Sequence, residues 1–399
     1  MISESEALAT LLQAVPNGVG AETLPLLDCL HRRSAVQVRA TLALPGFDNS
    51  MMDGYAVRAA ETQAREPLEV IATQPAGPDL GLRLEAPQQA IRIYTGAPIP
   101  AGADAVIMQE DVQRTGDSIL CQEPVLPGEN IRRQGSDLCL GQILLRAGES
   151  LTPGRIGLLA SQGIAQGTVY RQPKIAILST GDELVPAGSA PLQPGQLYNS
   201  NGPMLAALLR DLGLPVGEIA HSRDTLEETT TTLERLAAAH DIILLSGGVS
   251  VGDKDHVKPA LTALGLPPQI WRIRVKPGKP FLFTHRQEPA PLFVFGLPGN
   301  PVSAFVTFQL FVRPALLKWT GASPAELALP ETKAVLGHDL ANPGDRPHCL
   351  RGRLEQGQFQ AGGLQRSDAL FALSQANALL RLEAAQTLKA GDAVTLLSV

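Results

Sequence analysis

Apolar and polar positions along this chain follow two periods, and the switches between them divide it into four zones. In the first, ESEALATLLQAV and GAETLPLLDCLHRRSA space their apolar residues as amphipathic helices do, so both are predicted to be helical. In the second, roughly 45–140, the period shortens to two. DGYAVRA, LEVIAT, AIRIYTG, DAVIMQED and SILCQEPV alternate over short runs separated by Gly and Pro turns, which predicts a small β domain. A bridge, GQILLRAGESLTPGRIGLLASQGI, follows, with Thr152-Pro153 as a helix entry.

The third zone, 174–320, alternates continuous apolar runs with helical patterns. KIAILST, PVGEIAH, DIILLSGG and PLFVFGLPGN read as strands. GPMLAALLRDLG, TLEETTTTLERLAAAH, DHVKPALTALG and PVSAFVTFQLFVRPALLKW read as helices. In the second of these helices, Leu226, Leu233, Leu236 and Ala237 are expected to share the buried face. Such alternation predicts a mostly parallel sheet covered by helices on both faces, with ligands beyond the carboxyl ends of its strands. The fourth zone returns to strands (TKAVLGH, HCLRGRLEQGQFQAGG, ALLRLE, AVTLLSV) and predicts a small β-barrel or sandwich.

Composition narrows the classes. Hydrophobic residues make up 44% and charged residues 18% of the 399, a globular balance. A net charge of -6 argues against a general nucleic-acid or membrane-surface binder. No apolar run is long enough to span a bilayer, and the acidic N-terminus is not a secretory signal, so a cytoplasmic protein is expected. Cys29, Cys121, Cys139 and Cys349 lie far apart and suggest neither a zinc site nor a disulfide framework.

Candidate chemistry clusters at the predicted strand ends of the third zone. In LSTGDELV, Asp182 and Glu183 follow a strand; alone they read first as a polar turn, and otherwise as carboxylates facing a ligand crevice. In LSGGVSVGDKDH, Gly247, Gly248 and Gly252 permit close backbone approach and an anion-binding nest. Ser246 and Ser250 add hydroxyls there, and Asp253 and Asp255 are hard oxygen ligands suited to Mg²⁺ bridging a phosphate. In FGLPGNPVSAF, Asn300 reads as a helix N-cap, Pro301 as the first helical residue and Ser303 as part of the first turn. Lys276 and Lys279 flank a Pro-Gly turn, as an oxyanion site or an ordinary hairpin tip would have it. Asp224-x-x-Glu227 and Thr225-x-x-Glu228 both fit a capping box. Neither a G-x-S-x-G elbow nor a Walker-type loop occurs.

Taken in order, FDNSMMDGYAV, TGAPIPAGADAVIMQED, ILSTGDELV, NSNGPML, SGGVSVGDKDH, VKPGKPF and GLPGNPVSAF resemble the molybdopterin molybdenumtransferase (MoeA) family, related to the gephyrin E domain. The resemblance runs through nearly the whole chain. It implies an α/β plus β fold: an elongated four-domain subunit of a homodimer, with a three-layer α/β molybdopterin-binding domain. The implied boundaries are 21–44 with 141–172 for a linker and dimerisation domain, and 45–140 for an inserted β domain. The α/β domain would take 1–20 with 173–321, and a C-terminal β domain 322–399. The implied reaction joins molybdenum from molybdate to adenylylated molybdopterin with Mg²⁺-dependent release of AMP. Molybdopterin adenylylation and a non-catalytic gephyrin-like scaffold are the alternatives. Transient contact with other molybdenum cofactor biosynthesis proteins is a further implied partnership.

Carried over residue by residue, the resemblance makes Glu183, Asp224 and Asp255 the metal-side carboxylates. Asp53, Thr95 and Asp137 match positions facing the partner subunit's cleft. Lys276, Lys279 and Ser303, with Arg351, match a molybdate pocket. Gly247, Gly248 and Ser250, with Pro298, Asn300 and Pro301, match the pterin-phosphate region. Met51, His256 and the surroundings of Ser367 depart from the family pattern, and none of them removes a required charge.

Overall fold

The structure, a computed structural model, describes residues 1–189, 191–249 and 255–399. The chain forms two compact units. One comprises Met1–Val36, Ala147–Ile156 and Ala165–Val399; the other comprises Gln37–Arg146 and Gly157–Ile164. No helix among the described residues is long and apolar enough to cross a membrane.

The first unit is organised by a six-stranded sheet. Its strands are β1 (Ile175–Thr180), β2 (Glu218–Ser222), β3 (Ile242–Ser246), β4 (Ile270–Trp271), β5 (Leu282–Arg286) and β6 (Leu292–Leu297). The spatial order is β2-β1-β3-β6-β5-β4, parallel from β2 to β6 and antiparallel over the last two pairs. Strands β1, β3 and β6 are buried at every position, which is why they read as continuous apolar runs rather than alternating ones.

Their side chains divide between two cores. Ile175, Ile177, Leu244, Phe293 and Phe295 pack with α1 (Glu4–Ala14), α2 (Asn201–Asp211) and the long helix from Pro301 to Trp319. Ala176, Leu178, Ile243, Leu245 and Val294 pack on the other face with α3 (Leu226–Ala239) and α4 (Val257–Ala263). The long helix passes through a π turn at Phe308–Val312. Pro314 lacks an amide proton and crowds the carbonyl four residues earlier, so the ladder slips at that point.

The last zone closes into a five-stranded barrel. Its strands are β7 (Glu331–Leu336), β8 (His348–Glu355), β9 (Gln358–Ala361), β10 (Ala378–Leu382) and β11 (Ala393–Ser398), ordered β7-β9-β8-β10-β11. On β8, Leu350 points into the barrel core, while Cys349 packs into the α/β core. Alternation along one strand thus joins the two substructures.

The second unit holds a six-stranded sheet in which Gly54–Val57 lies between Ala105–Met108 and Gln89–Ile93. Gly54 is dictated by space: a Cβ there would lie 1.9 Å from the carbonyl oxygen of Ile107.

Two expectations are corrected. GAETLPLLDCLHRRSA is not a helix: Ala21–Pro25 is a strand paired antiparallel with Gln166–Tyr170, and Leu26–Cys29 is a 3₁₀ turn. Pro25 cannot donate within a helix, and the strand partner lies far along the chain where no local pattern reveals it. The apolar residues that suggested helical spacing include Leu27, which is 79% exposed. In α3 the buried stripe is Thr229, Leu233 and Leu236, whereas Leu226 is 45% exposed at the helix start.

Candidate active site

The chain runs from β1 to β2 on one side, then crosses back to β3 on the other side of β1. The carboxyl ends of β1 and β3 therefore form a topological switch point, where loops diverge and leave a crevice.

Three loops meet at this edge. After β2, the amide of Asp224 donates to Asp182 Oδ1 at 3.1 Å, tying the β2 loop to the β1 loop. Thr225, not Asp224, caps α3, accepting from the Glu228 amide at 3.3 Å. The side chain of Asp224 is therefore free of capping. After β1, Glu183 folds its carboxylate back over Gly181, where a Cβ would come within 2.7 Å of the carboxylate oxygens. After β3, Gly247 (φ +93) and Gly248 (φ +64) run directly over Thr180. A Cβ on Gly247 would lie 2.8 Å from the Thr180 carbonyl oxygen. One on Gly248 would lie 2.5 Å from Val257 Cγ2 and 2.9 Å from Thr180 Oγ1. Both conformation and space demand glycine. The Gly247 amide is engaged by the Leu297 carbonyl at 3.2 Å, so it is not free for an anion. Ser250, Gly252 and Asp253 lie outside the described residues.

Asp255, just before α4, has both carboxylate oxygens buried without a hydrogen-bond partner among the described residues. Burial pushes its pKa up to about 6. The Val257 and Lys258 amides pull the other way without reaching hydrogen-bond geometry, and burial wins. A buried carboxylate with no partner is a fitting ligand for a hard cation. Among the described residues, however, no three His, Cys, Asp or Glu side chains form a ready metal cluster. That fits Mg²⁺, which often takes one or two carboxylates and completes its shell with water and substrate phosphate.

The loop after β6 brings Pro298, buried, to the same edge. Asn300 occupies the N-cap position as expected, but its side chain makes no capping bond. The Lys276–Lys279 turn joins β4 to β5. Both lysines are exposed while Pro277 and Gly278 are buried. A Cβ on Gly278 would meet Thr307 Cγ2 at 2.5 Å and the Ser303 carbonyl at 3.8 Å, so the turn lies against Ser303's helix. The barrel fixes it from the other side: the Lys276 amide donates to the Pro347 carbonyl at 2.8 Å, and the Cys349 amide donates to the Lys276 carbonyl at 2.7 Å.

Arg351 on β8 is 1% exposed. Its Nη2 donates to the carbonyls of Leu364 (2.5 Å) and Arg366 (3.1 Å), while Nε and Nη1 have no partner among the described residues. Burial lowers its pKa. The same loop continues to Ser367, whose carbonyl accepts from Val302 at 3.1 Å, next to Ser303. Lys276, Lys279, Ser303 and Arg351 are thus linked by one chain of contacts.

Asp53, Thr95 and Asp137 belong to the second unit. Asp53 Oδ1 accepts from the Thr95 amide (2.8 Å) and hydroxyl (2.9 Å), which lowers its pKa; nearby Arg92 assists. Arg92 lies over the rings of Tyr55 (4.8 Å) and Tyr94 (5.2 Å). Asp137 is exposed and donates its amide to the Leu44 carbonyl at 3.0 Å. Two buried polar residues have no role assigned by the sequence: Asn201, within NSNGPML, and His348. Asn201 is buried with one amide atom bonded twice, and an Asn-Gly pair opening a helix between two apolar runs was its only signal.

Three family models match the chain: the MoeA N-terminal region (domain I and II) at residues 2–163, the probable molybdopterin binding domain at 176–318, and the MoeA C-terminal region (domain IV) at 333–399. The α/β unit with its glycine turns is accordingly of the molybdopterin-binding class. Relatives named molybdopterin molybdenumtransferase include one from Haemophilus influenzae, 38% identical over 404 residues and covering 99% of this chain and 98% of its own. Another, from a Nostoc species, is 39% identical and covers 92% and 86%. A crystal structure of the molybdopterin biosynthesis MoeA protein from Pyrococcus horikoshii aligns over all of this chain and 99% of its own, with a TM-score of 0.82 and 30% identity. The chain belongs to the MoeA family of molybdopterin molybdenumtransferases.

Proposed function

We propose that this protein inserts molybdenum from molybdate into adenylylated molybdopterin, releasing AMP with the help of Mg²⁺, as the last step of molybdenum cofactor synthesis. What carries the reading is the meeting of acids, glycine turns and a lysine turn at one sheet edge in a chain of this family. The adenylyltransferase alternative is not favoured, because relatives spanning almost the whole chain are named for molybdenum transfer.

In this reading, Gly247 and Gly248 let the substrate's phosphate side approach the backbone, and Pro298, Asn300 and Pro301 line the same region. Asp255 would hold Mg²⁺, helped by Glu183 and Asp224 from the neighbouring loops, and the ion would supply charge neutralisation at the phosphoanhydride. Lys276, Lys279, Ser303 and the unpaired donors of Arg351 hold molybdate, a dianion, against positive charge. Holding both reactants together removes most of the entropic barrier to their encounter. Asp53, Thr95 and Asp137 act on the cleft of a second copy in a homodimer. Exposed Leu27, Leu30 and Val36 support such a dimer, since they leave apolar surface for another chain to cover. A four-domain division and a cytoplasmic location belong to the same proposal.

The test is AMP release from adenylylated molybdopterin with molybdate and Mg²⁺, followed by activation of a molybdenum-free apoenzyme. Folded protein that releases no AMP and yields no active cofactor would overturn the reading.

A further inference from the structure

Asn201 opens α2 at the carboxyl edge of the sheet and is 7% exposed. Its Nδ2 uses both protons, donating to Ser246 Oγ at 2.8 Å and to the Gly299 carbonyl at 2.7 Å. One amide therefore fastens the end of β3, just before Gly247, to the loop between β6 and the long helix. Those two segments already touch closely: a Cβ on Gly299 would sit 3.7 Å from Gly247 Cα. The other end of the same side chain is unsatisfied. Asn201 Oδ1 is buried with no partner among the described residues. Thr180 Oγ1, under the same glycine pair, is likewise buried and unpartnered.

An amide oxygen buried without a donor is destabilising, because its lost hydration is not replaced. The orientation is not interchangeable, because turning the amide over would set its oxygen against the Gly299 carbonyl and lose that bond. The two clamp bonds thus fix where Oδ1 points, and the site retains an acceptor that the chain does not satisfy. A ligand supplying an N–H would satisfy it.

We propose that Asn201 is a binding residue of this site, whose Oδ1 accepts an N–H from the flat heterocycle of the substrate while its Nδ2 locks together the two glycine-bearing loops around it. The pterin ring of molybdopterin has the required chemistry, with an exocyclic amino group and ring N–H donors on one edge. This inference rests on the proposed function for the identity of the ligand. It adds a specificity element that acts on the heterocycle rather than on phosphate or molybdate.

The experiment compares wild type with Asn201→Ala and Asn201→Ser, using adenylylated molybdopterin as the probe. Binding is followed by pterin fluorescence and turnover by AMP release. Loss of one good hydrogen bond is expected to raise the Kd for adenylylated molybdopterin by roughly tenfold. The KM for molybdate is expected to stay unchanged. If both constants rise together with a fall in Tm, the residue is only a clamp and the proposal falls. Should the alanine variant not fold, wild type labelled with ¹³C-asparagine decides: the Asn201 carboxamide carbon shifts on adding the substrate, and an unmoved resonance overturns the proposal. Wild type that binds the substrate but releases no AMP would sink the proposed function and leave this inference standing.

Discussion

Asp53 Oδ1 receives two hydrogen bonds from Thr95, one from the amide at 2.8 Å and one from the hydroxyl at 2.9 Å, across 42 positions of sequence. The pair holds a half-exposed carboxylate in one place and in its ionised form. Both bonds favour the charged state, so the pKa lies below the ordinary carboxylate range. A depressed carboxylate contributes stability above its unfolded pKa and loses it as pH falls through the folded value. Thr95→Val removes the hydroxyl and keeps the amide. The Asp53 pKa is then expected to rise part of the way, read by carboxyl ¹³C titration, and the acid limb of the turnover profile to move to higher pH with it. An unmoved acid limb would separate Asp53 from the rate.

Asp255 presents two buried, unpartnered carboxylate oxygens, which predicts a cation-dependent gain in stability. With AMP present to complete the coordination, Mg²⁺ is expected to raise the Tm of wild type. The gain corresponds to about 2.7 kcal/mol at a hundredfold excess over Kd. Asp255→Asn should fold as well as wild type without Mg²⁺ and show no such rise. Equal shifts in the two proteins would remove Asp255 from the metal.

The contact between the lysine turn and the barrel predicts an acid-sensitive joint. His348 is 7% exposed beside Lys276, Arg351 and Arg346, and burial, helped by those cations, lowers its pKa to about 4. A histidine depressed below its ordinary value stabilises the fold above the unfolded pKa near 6.5 and loses that contribution as pH falls toward 4. The loss is on the order of 2–3 kcal/mol. Urea midpoints for wild type should fall over this range, and those of His348→Gln should fall less. Parallel pH curves would show that the imidazole stays solvated.

How much of this was legible depends on whether the cause was local. The parallel strands were, because a strand covered on both faces must be largely apolar, and Ile175–Leu178 and Ile242–Leu245 are apolar without a break. The glycines were legible as positions of close approach, but not what they approach: Thr180 reaches Gly247 and Gly248 only through strand pairing. Ala21–Pro25 was misread because its partner, Gln166–Tyr170, supplies the hydrogen bonds from far along the chain. The β5 strand is not legible in the sequence, because an antiparallel strand that follows a Lys-Pro-Gly turn has no helix to announce it. The choice between Asp224 and Thr225 as the cap was open in the sequence, since both spacings fit; the backbone settles it for Thr225. For Asn201 the sequence offers only an Asn-Gly pair at a helix start, because an amide that clamps two loops is recognisable only once those loops are side by side.

Arg351 gives the sharpest separation between stability and binding. A guanidinium that is 1% exposed, with Nε and Nη1 unpartnered, is costly to bury, and burial lowers its pKa. Replacing it by an apolar side chain of similar length removes that desolvation cost, set against the loss of its bonds to the Leu364 and Arg366 carbonyls. Arg351→Met should therefore hold or raise the Tm. Molybdate, which is expected to raise the Tm of wild type, should leave that of Arg351→Met unchanged, because the donors that would hold it are gone. Arg351→Lys should not restore the response, since one ammonium cannot reproduce the planar fork that serves Leu364, Arg366 and an anion together. A molybdate-dependent rise that survives in Arg351→Met would place the anion elsewhere and reduce Arg351 to a brace for the loop from Leu364 to Ser367.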